Sequence, residues 1–359
     1  MPNTITIEEL IRRANTPVVL DEILSDLMPP SHFKEAAFSN YIPDPRFQSQ
    51  SRTVDILRHF IKDVEVKANH KTSLFSIFSS KVRPKGSGIY LDGGFGVGKT
   101  HLLASCYHLF ASSKKAYLSF QELMYLVGLQ KLDGTFATFK GFDLLIIDEF
   151  ELDDPANSRI STNLLGQLFD GGVHIITSSN TPPGALGEER FSDEDFRREI
   201  GEMAKKFRQV RIDGEDYRIS HHLHQTERST WYVGEDKQEY LGATNSLNEK
   251  LQRIVSISYK DLKNLLSSAH PMKIRSLLSS ISGFTISGFS EFTHPHEALR
   301  FVYFIDKCYD DNIAIVVSSE VPLSAIFHHT IMNGGDTKKY RRTLSRLNEM
   351  TQITAEMLV

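Results

Sequence analysis
The chain has 359 residues, and its 41 basic and 45 acidic side chains give a formal net charge of −4. That leaves no global basic footprint for obligate nucleic-acid binding. A chain of this length buries a large core and predicts two domains, or one domain with a sizeable lid.

Residues 1–52 predict a mostly helical arm that ends in the Pro-bearing stretch MPPSHFKEAAFSNYIPDPRF. The N-terminus, MPNTITIEELIRRANTP, has no apolar stretch of signal-peptide length, and no run approaches the roughly 20 apolar residues of a membrane span. Cys106 and Cys308 lie far apart in apolar helical contexts and read as reduced core thiols, so a cytoplasmic protein is expected. The main body, 53–218, opens on helical spacing through Ile56, Leu57 and Phe60. HKTSLFSIFSSKVRPKGSG is Ser- and Lys-rich with no period and reads as a surface insertion at 71–87. A β-prone apolar run at 88–91 precedes GGFGVGKT (93–100). After it, Leu102, Leu103, Cys106, Tyr107 and Phe110 recur at helical spacing. Further strands are predicted at 116–120, 143–148, 173–177 and 209–212. Helices over 121–130, 158–170 and 193–207 alternate with them. This alternation predicts an α/β fold, a parallel sheet with helices on both faces, and GGFGVGKT between a strand and a helix makes it a P-loop NTPase sheet. Residues 219–359 read as a mixed, mainly helical C-terminal region with helices near 296–311 and 338–350.

Four glycines within six residues mark backbone that bends sharply or approaches something closely. The spacing Gly93-x-x-x-x-Gly98-Lys99-Thr100, between a strand and a helix, fits a phosphate-binding loop. Backbone N–H groups of Gly93, Gly94, Phe95, Gly96, Val97 and Gly98 would cradle the phosphates of ATP at the positive end of the helix. Lys99 would reach the β- and γ-phosphates, and the Thr100 hydroxyl would bind Mg²⁺. A glycine-rich turn that matches by accident lacks that flanking strand and helix. Leu144-Leu-Ile-Ile-Asp148-Glu149 adds a buried strand whose end would present Asp148 to Mg²⁺ and Glu149 to the attacking water. The chain has no NKxD guanine-reading signature and no LSGGQ-like sequence, which disfavours a GTPase or a transporter subunit.

These residues resemble those of AAA+ ATPases, in which a polar residue at the end of the next strand helps orient the water. In VHIITSSNTPP (173–183) that residue would be Asn180, with Ser178 and Ser179 behind it; the alternative is that Asn180 only opens a turn. Such rings also take an arginine from a neighbouring subunit. Arg190 is the first choice here and Arg197 the second, although both also suit a solvated, salt-bridged helix face.

More narrowly, the chain resembles the ZapE-like cell-division ATPases and their mitochondrial relatives, the lactation-elevated ATPases, from about Pro29 onward. The resemblance rests on GGFGVGKT, on IIDEF (146–150), on TSSNTPP followed by ERF (189–191), and on YRRTLSRLNEM (340–350). It implies an AAA+-like fold, Mg·ATP hydrolysis, an ATP-dependent homo-oligomer and, in bacteria, association with the division ring built by the tubulin-like protein FtsZ. Two alternatives are a replication-initiator or helicase-loader ATPase and a non-hydrolysing nucleotide-dependent adaptor. The absence of a helix-turn-helix pattern after residue 250 disfavours the first, and the Asp148-Glu149 pair disfavours the second.

Three further features stand out. Asp170…VHIITSSN-x-Pro182 is echoed 140 residues later by Asp310…IAIVVSSE-x-Pro322, which reads as a second strand-and-turn of similar build or as a recurrent helix-strand-turn pattern. Glu320 takes the place of Asn180 there and is assigned no catalytic role. The cluster His221, His222 and His224 has no Cys or carboxylate at ligand spacing and reads as a loop or strand edge. Arg342 and Arg346 share a helix face that either touches the nucleotide or forms a basic surface.

Overall fold
The computed structural model describes residues 5–71, 84–152, 155–182, 201–215, 230–234 and 237–353. The chain divides into two compact units, one of residues 27–29 and 33–221, the other of residues 1–26, 30–32 and 222–359.

The first unit is a five-stranded sheet in the order β2-β3-β4-β1-β5. Its strands are β1 (Gly88–Gly93), β2 (Lys115–Ser119), β3 (Leu144–Asp148), β4 (His174–Ser179) and β5 (Phe207–Ile212). All four pairings are parallel. β1, β3 and β4 are buried along their whole length, as expected of strands covered on both faces. The linking helices are α4 (Lys99–Leu109), α5 (Phe120–Phe139) and α6 (Pro155–Asp170), and α3 (Gln48–Lys71) precedes them. A capping box between Ser119 and Glu122 starts α5. That helix runs past the predicted end at 130 because a second helical segment continues beyond Lys131, whose φ is +62°. Leu57, Ile61, Leu102, Leu103, Ile146 and Ile176 share one core. Residues 193–200 of the predicted charged helix lie outside the described residues, as does most of the insertion, from 72 to 83.

The C-terminal unit is the mixed, mainly helical region predicted, with a sheet that the prediction did not include. It holds a second five-stranded parallel sheet in the order β10-β6-β9-β8-β7. Its strands are β6 (Thr230–Val233), β7 (Ile254–Ser258), β8 (Gly283–Phe289), β9 (Ala314–Ser319) and β10 (Gln352–Ile353). In chain order its helices are α7 (Lys237–Lys250), α8 (Tyr259–Ser268), α9 (Pro271–Leu278), α10 (Pro295–Asp310), α11 (His329–Met332) and α12 (Thr337–Met350). The N-terminal α1 (Ile7–Ala14) and α2 (Leu20–Ser25) belong to the same unit. The echoed stretch is β9, in this second sheet. α10 and α12 match the predicted 296–311 and 338–350 within a residue.

Arg342 and Arg346 of α12 both bond the carboxylate of Asp306 on α10, Arg342 at 2.7 Å. Asp306 is 6% exposed. Burial favours its neutral form, but the two guanidinium groups outweigh burial and hold its pKa below the usual carboxylate range. The arginines therefore pin α12 to α10. Asp306→Asn leaves two partly buried guanidinium groups unbalanced and is expected to cost about 3–5 kcal/mol. Because the folded-state pKa is depressed, the loss is present at neutral pH. It shrinks as acid protonates the wild-type carboxyl below about pH 4. Urea unfolding of both proteins at pH 7 checks this, and equal midpoints would remove the ion cluster from the stability account.

Candidate functional site
The GGFGVGKT loop joins β1 to α4, and two of its glycines are fixed by close approaches. A Cβ on Gly93 would lie 2.3 Å from the Ile212 carbonyl oxygen of β5. Gly98, the N-cap of α4, has φ +85°, and a Cβ there would meet the Tyr41 ring at 2.6 Å. Tyr41 also donates its hydroxyl to the Val97 carbonyl at 3.1 Å, and burial pushes its pKa up to about 12. Gly94 and Phe95 are exposed, Gly96 has φ +66°, and Val97 packs into the core.

The α4 N-terminus carries no acid in its first turn. Its first amides have no partner within the helix, so this end can accept an anion. Lys99 folds back over the loop. Its Nζ lies 2.9 Å from the Gly93 carbonyl, 2.6 Å from the Gly94 carbonyl and 2.8 Å from Asn180 Oδ1. The loop lysine and the residue after β4 are thus brought together, 81 positions apart in sequence. Asn180 Nδ2 also faces Glu151 Oε1 at 3.4 Å.

At the end of β3, Asp148 is 7% exposed. Its Oδ2 accepts from the Tyr117 hydroxyl at 2.6 Å, and its Oδ1 accepts a short bond from Ser178 Oγ. Glu149 has φ +52°, which is uncommon for a residue with a side chain. The turn is tied down by the Glu149 amide, which donates to Asp148 Oδ1 at 3.0 Å and to Ser178 Oγ at 3.2 Å. The Phe150 amide donates to the Ser178 carbonyl at 2.7 Å. Backbone strain held in place by neighbours in this way is typical of functional sites. Thr100, in the first turn of α4, offers a hydroxyl and Asp148 a carboxylate. Two hard oxygen donors fit Mg²⁺, which takes one or two protein oxygens plus water and phosphate.

Beside the loop, Asp92 is buried at the end of β1, and burial raises its pKa. Asp213 adds to that shift, while Arg211, at 3.4 Å, opposes it. Tyr41 and Tyr117 were not singled out from sequence, because their roles depend on contacts 56 and 31 positions away. Arg190, Arg197 and the His221–His224 cluster lie outside the described residues. Arg342 and Arg346 both pair with Asp306 within the C-terminal unit. Cys106 and Cys308 are free and buried. Among the described residues, no helix is long and apolar enough to cross a membrane.

Residues 18–357 match the family model described as AFG1-like ATPase. The chain is 27% identical over 297 residues to the cell division protein ZapE of Escherichia coli K12, covering 73% of this chain and 77% of that one. It is 23% identical over 309 residues to lactation elevated protein 1 homolog B of Danio rerio, covering 72% and 60% respectively. Among solved structures, domain III of the Thermotoga maritima replication initiation protein DnaA shares 15% identity at a TM-score of 0.38. That match covers 80% of this chain and 85% of the other.

Proposed function
The chain belongs to the AFG1-like ATPase family and binds ATP, and from that premise we propose where and how it hydrolyses the nucleotide and what the hydrolysis serves. The reading rests above all on one observation, the 2.8 Å contact between Lys99 Nζ and Asn180 Oδ1. It brings the lysine of a phosphate loop to the end of the strand beside Asp148 and Glu149. In this reading the amides of residues 93–98 and the α4 N-terminus bind the phosphates, and Lys99 exchanges its carbonyl contacts for the β- and γ-phosphates. Thr100 and Asp148 hold Mg²⁺, which when bound neutralises charge on the phosphates. Tyr117 and Ser178 fix the Asp148 carboxylate. Glu149 accepts a proton from the attacking water, and Asn180 orients that water. Arg190 reaches the γ-phosphate of a neighbouring subunit in an ATP-dependent homo-oligomer.

The products are ADP and phosphate, and the work done is remodelling or regulation of a protein partner. FtsZ is the expected partner, with the cytoplasmic division site as the place of action. The support for this is the name of the Escherichia coli relative, a cell division protein.

The test is Glu149→Gln. The amide keeps the size of the side chain but cannot take the proton, so Mg·ATP binding is expected to match wild type while turnover falls about 10²- to 10⁴-fold. Loss of binding together with turnover would mean that Glu149 holds structure or metal. The same variant, loaded with ATP and mixed with purified FtsZ, is expected to co-sediment with it. If a lysate pull-down with the loaded variant recovers replication proteins alone, the partner assignment is wrong.

A further inference from the structure
We propose that the C-terminal unit is a second copy of the ATPase fold whose nucleotide site has been dismantled, so that the chain has two P-loop-type units and one nucleotide site. This rests on the functional reading above for the first unit. Numbered within their own units, β6 to β10 become strands one to five, and the order β10-β6-β9-β8-β7 becomes 5-1-4-3-2. That is the order of the first sheet, β5-β1-β4-β3-β2, and every pairing in both sheets is parallel.

A shared strand order can arise from a common fold alone. Local details at constant spacing are not required by the fold, and here they recur 139 to 141 positions apart. The turn into β4 has Gly172 at φ +82°, and the turn into β9 has Asn312 at φ +53°. Ser119 caps α5 by accepting from the Glu122 amide, and Ser258 caps α8 by accepting from the Asp261 amide. After β4, the Thr181 amide donates to Ser179 Oγ at 3.0 Å; after β9, the Val321 amide donates to Ser319 Oγ at 3.2 Å. The carbonyls of the same two residues, Thr181 and Val321, accept from aromatic side chains of the first strand in each unit. The donors are the Tyr90 hydroxyl at 2.8 Å and the Trp231 indole at 3.5 Å. Phe120 packs on Phe150 with ring centroids 4.9 Å apart, and Tyr259 packs on Phe289 at 4.6 Å.

Register then identifies what stands at each chemical position. Ile147 pairs with Thr177 and Ile286 with Val317, so Asp148 corresponds to Ser287 and Glu149 to Gly288. The turn has kept its shape, with φ +63° at Gly288 against +52° at Glu149, while both carboxylates have gone. Asn180 corresponds to the exposed Glu320. The five residues that join β1 to α4 correspond to three between Val233 and Lys237, and two of those, Glu235 and Asp236, are acidic. A three-residue connection has too few amides to wrap a triphosphate. The packing details that hold the fold have thus been retained, while the groups that would hold Mg·ATP have been replaced.

The experiment is equilibrium binding of a radiolabelled ATP analogue with Mg²⁺ to the full chain and to Lys99→Ala. Photo-crosslinking with an azido-ATP and peptide mapping accompany it. One nucleotide per wild-type chain is expected, with labelled peptides confined to residues 33–221 and affinity lost by about 10²-fold or more in the variant. Two nucleotides per chain, or saturable labelling of residues 230–353 that survives Lys99→Ala, would overturn the inference and leave the functional reading standing. No binding by the wild type would instead overturn the functional reading, and this inference with it.

Discussion
Lys99→Ala is expected to bind no measurable ATP at concentrations that saturate the wild type. The Lys99 ammonium is held by three oxygens of the loop region, at 2.6 to 2.9 Å. It is thus already placed where the phosphates would replace those oxygens. Each charge-assisted hydrogen bond contributes about 1.5–3 kcal/mol. Losing two to the phosphates corresponds to about 10²- to 10⁴-fold in Kd. Alanine is a good helix former, so α4 has no intrinsic reason to unravel. Calorimetric titration with Mg·ATP reads the loss, and a thermal melt of the same sample separates it from unfolding. Near-native affinity would show that this loop is not the site.

Arg190→Ala is expected to bind ATP as the wild type does and to lose about 10³- to 10⁵-fold in turnover. An arginine supplied across a subunit interface places charge on its neighbour's transition-state phosphoryl oxygens and does nothing for its own nucleotide. The Lys99→Ala protein has no working pocket but retains Arg190. Mixing the two inactive proteins should therefore restore part of the activity, because some interfaces pair a good pocket with a good arginine. The recovery should rise with protein concentration as subunits exchange. If mixtures stay as inactive as their parents while labelled subunits demonstrably exchange, Arg190 is not the finger, and Arg197 is the next residue to vary.

Local pattern made much of the first unit legible. GGFGVGKT sits between a strand and a helix in sequence as in space, because the loop, its strand and its helix are contiguous. IIDEF marked the end of β3 for the same reason. The place of Asn180 directly after an apolar strand was legible, while the role proposed for it comes from the resemblance to AAA+ ATPases. Tyr117, which bonds the Asp148 carboxylate, was not legible, since a tyrosine in a β-prone run is ordinary and only pairing of β2 with β3 reveals its target.

The second sheet was largely missed for physical reasons. β6 is four residues long, β8 begins with glycine and carries Ser287-Gly288 near its end, and β7 is interrupted by Ser256. Short strands with polar or glycine positions give little apolar periodicity. The one loud signal was the 140-residue echo in β9, the most continuously apolar of the five. Arg342 and Arg346 read as a basic face because their partner, Asp306, lies 36 and 40 positions away on another helix.

Phosphate release from ATP by the purified chain, followed in the presence of Mg²⁺ beside Glu149→Gln at matched nucleotide occupancy, tests the central claim most directly. The wild type should release phosphate continuously, saturate with ATP and stop when Mg²⁺ is chelated, while the variant holds the nucleotide without releasing phosphate. A wild-type chain that binds ATP yet releases phosphate no faster than Glu149→Gln would contradict the claim that this site hydrolyses ATP.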